Sequence, residues 1–80
     1  MDDLHLCQIV EGVEKLLRVH AQHFRLVVVA EALVDRFAAD STPESWLRAY
    51  RSNAGEIERI AFERFRRTSH PIVIIQRFDE

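Results

Sequence analysis

Eighty residues, 48% of them apolar, suffice for one core and one domain spanning 1–80, and are too apolar for a disordered chain. Eleven basic against thirteen acidic side chains give a formal net charge of −2, which excludes a polycation held to nucleic acid by bulk charge. Cys7 is the lone cysteine, so no internal disulfide is available.

Asp2 and Asp3 stand where a signal peptide would be positive, and the longest apolar run, Leu26–Ala30, is too short to span a bilayer. The expectation is a soluble cytoplasmic protein without membrane association.

Residues 4–15 leave two readings open. Leu6, Val10, Val13 and Leu17 recur at helical spacing, with Asp3 as a candidate cap and Glu11–Lys15 and Glu14–Arg18 as i,i+4 pairs. Against this, Leu17, Val19 and Ala21 alternate, which predicts a strand near 16–21, with Gly12 marking the break before it. Periodicity favours helix for 4–15.

The run Arg25-Leu26-Val27-Val28-Val29-Ala30 predicts a central strand over 25–30, covered on both faces. A short helix over 31–39 follows, with Leu33, Val34 and Phe37 on one side. Thr42, Pro43 and Glu44 form a strong helix start: a capping hydroxyl, a proline where no N–H is needed, and an acid at the positive helix end.

From there a long amphipathic helix is expected over 43–67. Its stripe is Leu47, Tyr50, Ala54, Ile57, Ala61 and Phe65, widened by Trp46 and Ile60. Gly55 weakens it, so a kink or break falls near Asn53–Gly55. Pro71 stops the helix, and Ile72-Val73-Ile74-Ile75 opens a last strand over 72–77 that pairs with 25–30. The sum is an α+β fold in which a small antiparallel sheet packs against the short and the long helix.

No catalytic grouping stands out. His5, Cys7, His20 and His23 match no zinc spacing, the serines sit at turns and helix ends, Cys7 lies in an apolar run, and two glycines make no phosphate loop. We therefore expect no enzyme, metal or cofactor.

Ten of the eleven basic residues are arginine. On a continuous long helix Arg48, Arg59 and Arg66 fall nearly in line with Phe62 beside them, a row able to grip phosphate or an acidic protein surface. Neighbouring Glu44, Glu56 and Glu63 would neutralise much of its field. Phe62, off the core stripe, implies either a wide core there or a contact with another molecule.

Glu31-Ala32-Leu33, followed by Tyr50, Asn53, Ile57-Glu58, Ala61 and Phe65 and a closing strand Ile72–Gln76, resembles the bacterial family called domain of unknown function 1488. The resemblance implies a starting strand hairpin, with 16–21 a strand, and no particular activity. It also implies a glycine turn before the valine strand, where this chain has Gln22-His23-Phe24.

The functional expectation is a non-catalytic protein-binding module, an adaptor or inhibitor of a larger assembly. Small mobile-element inhibitors such as anti-CRISPR proteins share its size. Arg48, Arg59, Phe62 and Arg66 form one candidate partner surface, and Glu11, Glu14, Glu31 and Asp35 an acidic one. The alternative is weak nucleic-acid binding through the arginines, and a homodimer through a strand edge or Phe62 is compatible with either.

Overall fold

The structure is a computed structural model that describes residues 6–78. Its elements are β1 (Cys7–Ile9), β2 (Gly12–Val19), β3 (Gln22–Val29), α1 (Ala30–Phe37), α2 (Pro43–Ser52), α3 (Ala54–Thr68) and β4 (Ile72–Ile75). The four strands form one sheet in the order β1-β2-β3-β4. The fold is α+β, as the sequence implies.

Several details differ from expectation. The helical reading of 4–15 is overturned, because residues 7–9 and 12–19 are paired strands; residues 4 and 5, and the Asp3 cap, lie outside the described residues. The misleading residue is Lys15. With Val13 and Leu17 it points to the helix side, and its ammonium reaches Glu58 there, so a charged residue interrupts an otherwise alternating strand. Val10, part of the apparent helical stripe, is 89% exposed in the β1–β2 turn.

The expected strand 16–21 is the end of β2 and its turn, and 25–30 is the latter part of β3. The expected 72–77 stops at Ile75, and the expected short helix 31–39 runs over 30–37, ended by Ala38 in the left-handed region at φ 58. The sheet is mixed rather than antiparallel, for β4 lies parallel to β3. Three helices separate these strands, a crossover long enough to bring the chain back in the same direction.

The long helix breaks at Asn53, which leaves helical geometry at φ −127 and ψ 23. Its amide Nδ2 donates to Ala49 O at 2.9 Å, so the break is held by the side chain of the residue that makes it. At the other end of α2, Thr42 is the foreseen cap, accepting from the Ser45 N–H at 3.2 Å.

All the helices pack on one face of the sheet. Val13, Leu17, Phe24, Leu26, Val28, Val73 and Ile75 meet Ala32, Leu33, Tyr50, Ile57, Ala61 and Phe65 in a single core. Phe24 stacks on Phe65, with ring centroids 4.4 Å apart, and meets Phe62 in a T-shaped contact at 5.9 Å. Among the described residues no helix lies on the opposite face, so β3 is central but covered by helices on one side only.

Two polar features set the geometry. Glu58 of α3 accepts from Lys15 Nζ of β2 at 2.8 Å and from Tyr50 Oη of α2 at 2.6 Å, and the Lys15 ammonium also lies 5.7 Å from the centre of the Tyr50 ring. Gly12 lets the end of β3 and the start of α1 come close to β2: a Cβ there would sit 2.1 Å from Val28 O and 2.7 Å from Ala30 N.

The two glycines should therefore respond oppositely in urea unfolding. Gly12→Ala must push backbone apart and is expected to cost ~3 kcal/mol or more. Gly55→Ala, with nothing within 4 Å of the added methyl, should gain up to about 1 kcal/mol. Glu58→Gln leaves the mostly buried Lys15 charge without its counter-ion, and unfolding should show a loss of roughly 2 kcal/mol, against about 1 kcal/mol for Tyr50→Phe.

Candidate functional site

The break at Asn53 divides the arginine row. Arg48 lies exposed on α2, while Arg59 and Arg66 lie exposed on α3. Arg59, Phe62 and Arg66 do come together, lining with Gly55, Glu58 and Glu63 a shallow depression of about 370 Å³. Arg48 is not part of it. Phe62 is half-buried in a T-shaped contact with Phe24, which makes it the rim of a wide core rather than a free apolar anchor.

Carboxylates share this surface. Arg59 Nη1 stands 3.6 Å from Glu63 Oε2, one turn away. Such an exposed pair stabilises weakly but offsets the local positive field.

A larger recess of about 610 Å³ opens where the parallel strands β3 and β4 end. One wall is α1, with Glu31, Val34 and Asp35; a second is the α1–α2 loop and first turn of α2, with Ser41 and Trp46; the third is the chain leaving β4, with Gln76 and Arg77. Val34 is 43% exposed into solvent. Crevices beyond the carboxyl ends of strands, next to a crossover, are a common place for ligands in sheet-and-helix folds.

The second wall is tightly tied. Trp46 Nε1 donates to Asp40 O at 3.0 Å, and the Asp40 N–H donates to Ser45 Oγ at 2.7 Å. Ser45 is the buried polar residue at this corner, and the Trp46 N–H returns to Thr42 O at 3.1 Å. The indole is thus held in place before anything binds. Sequence reasoning named Glu31 and Asp35 as acidic surface and Trp46 as part of the core stripe. It missed Gln76 and Arg77, whose position depends on the parallel crossover.

Cys7 is exposed on β1 rather than packed, and His20, His23 and His70 are also exposed. His5 lies outside the described residues. Among the described residues no group of three or more His, Cys, Asp or Glu side chains is placed to hold a metal ion, and no helix is long and apolar enough to cross a membrane.

A one-sided mixed sheet, a capped three-helix crossover and a recess at the strand ends define the class: a small α+β domain. The chain belongs to the family described as protein of unknown function (DUF1488), whose sequence model matches residues 7–72. No curated protein and no solved structure is detectably similar to it.

Because Phe62 packs on Phe24 in a T-shaped contact, Phe62→Ala should lower the urea-unfolding free energy by about 1–2 kcal/mol. Arg59→Ala and Arg66→Ala, on the exposed rim, should each change it by less than about 0.5 kcal/mol.

Proposed function

We propose that this protein is a non-catalytic protein-binding module, an adaptor or inhibitor that takes a segment of a larger partner into the recess at the strand ends. The observation that carries the reading is the recess itself: Trp46, fixed by its bond to Asp40 O, beside exposed Val34 and the carboxylates of Glu31 and Asp35. An oriented indole supplies large contact area at small entropic cost, and a basic side chain laid over it between two carboxylates gains from both. Arg77 on the third wall suits an acidic neighbour in the same segment.

Nucleic-acid binding through Arg48, Arg59 and Arg66 has less support. The row is divided between two helices, and Glu58 and Glu63 line the same depression as Arg59 and Arg66. A phosphate backbone would meet carboxylates as well as guanidiniums there.

The test is a random-peptide display library selected against the immobilised protein. Enrichment should favour peptides pairing Lys or Arg with an apolar residue, and Trp46→Ala or the double variant Glu31→Lys, Asp35→Lys should weaken the selected peptides at least tenfold. Selected peptides that bind both variants as well as the parent would remove the recess from the reading.

A further inference from the structure

The uncovered face of the sheet is a second surface, made of residues that do not line the recess. The strand registers sort its side chains into four rows. Arg18 pairs with His23; Leu16 stands beside Arg25 and Ile72; Cys7, Glu14, Val27 and Ile74 share the third row; Ile9, Gly12 and Val29 share the fourth. Leu16, Ile72 and Ile74 are 43%, 42% and 49% exposed, so the middle of the face is apolar and wet.

Charge is segregated along the strands. Arg18, His23 and Arg25 lie toward the β2–β3 turn, while Glu14 and the exposed Glu11 lie toward the opposite end, with Glu14 and Arg25 approaching to 4.0 Å where the two zones meet.

The free edge of β4 is not a comparable surface. The Arg25 N–H bonds to Pro71 O, a phase that turns the backbone groups of Ile72 and Ile74 away from β3. Ile74 O accepts from Arg64 Nη1 at 3.2 Å, and His70 Nδ1 lies 3.2 Å from both the N and the O of Ile72. Side chains from α3 and the turn after it thus take Ile74 O and, through His70 Nδ1, one backbone group of Ile72, part of the ladder that a new strand would need.

We propose that the open face binds a second copy of this chain, face to face, about a two-fold axis lying in the interface across the strands. That operation runs the strands of the two copies in opposite directions. Each row then meets its reversed counterpart: Ile72 lies over the partner copy's Ile74, Leu16 over its Glu14 with Arg25 diagonal to that carboxylate, and the Arg18–His23 row over the Ile9–Gly12–Val29 row, beside the turn that carries Glu11. The basic end of the face thus meets the acidic end and the apolar middle meets itself, a self-complementarity that a two-fold interface requires. Two aligned sheets about 10 Å apart are a standard packing for such faces.

Strands ~4.8 Å apart with ~3.3 Å per residue, eight residues in each of β2 and β3 but only three in β1 and four in β4, bring together roughly 700 Å² over both copies, below the usual lower bound for a stable interface. The dimer should therefore be weak and transient, with dissociation in the high-micromolar range.

Sedimentation velocity over a concentration series tests this on the full chain, independently of any partner in the recess. The expected weight-average mass rises from one chain, 9.4 kDa, toward twice that value. Ile74→Lys, on an exposed side chain, should keep a cooperative circular-dichroism melt and remain monomeric. The double variant Arg18→Glu, Arg25→Glu and the double variant Glu11→Arg, Glu14→Arg should each be monomeric alone and associate when mixed.

Three results would overturn the proposal: a monomer throughout at millimolar chain, undiminished association of a folded Ile74→Lys, or charge-reversed variants that associate alone as well as they do mixed.

Discussion

One carboxylate holds the architecture in register. Glu58 sits near the start of α3 and takes hydrogen bonds from Lys15 on the sheet and Tyr50 near the end of α2. The Tyr50–Glu58 bond spans the break at Asn53, so it fixes the angle at which the two helices diverge. The Lys15–Glu58 bond then fixes the height of that hinge above β2. Each partner is largely buried, with Lys15 at 12% and Glu58 at 20% side-chain exposure, so removal of the carboxylate leaves the Lys15 charge without its counter-ion in a place with little water. What lies to either side depends on this hinge: toward the chain start, Trp46 against the recess; toward the end, Phe65 stacked on Phe24.

The helices were legible because their signals are local. Thr42-Pro43-Glu44 announces a helix start by chemistry confined to three residues, and Tyr50, Ile57, Ala61 and Phe65 are buried as the stripe implies. The weak point near Gly55 was also legible, although the residue that breaks the helix is Asn53, and Gly55 is ordinary helix beyond it.

The first strands were not legible from periodicity, because β2 places a lysine among its inward residues and the partner that makes this tolerable lies 43 residues later. The direction of β4 was hidden for a similar reason: a four-residue apolar run carries no mark of parallel or antiparallel pairing, and only the length of the crossover decides.

The residues that carry the family resemblance turn out to be structural. Tyr50 and Glu58 form the hinge, Asn53 makes and secures the break, and Ile57, Ala61 and Phe65 are core. Of Glu31-Ala32-Leu33, the last two are buried, and Glu31 reaches the recess. A pattern of this kind reports a shared way of folding. Of the pattern's residues, Glu31 and Gln76 reach the recess and Ile72 and Ile74 the open face, while Trp46, Asp35, Arg77 and the charged residues of β2 and β3 lie outside it, so a resemblance strong enough to identify the fold says little of what the fold holds.

The recess is a consequence of topology more than of any motif. Because β4 returns parallel to β3, both strands finish at the same end of the sheet, and the residues that follow them, Glu31 and Asp35 on α1 and Gln76 and Arg77 after β4, converge there. An antiparallel return would have sent Gln76 and Arg77 to the β2–β3 turn, leaving α1 without a facing wall. The same crossover lays three helices on one side of the sheet, leaving the other side uncovered. Among the described residues no segment covers that second face, where arginines and glutamates are interleaved with the exposed apolar side chains. The parallel return thus accounts for a formed recess at the strand ends and, by the same placement of the helices, for the bare face of the sheet.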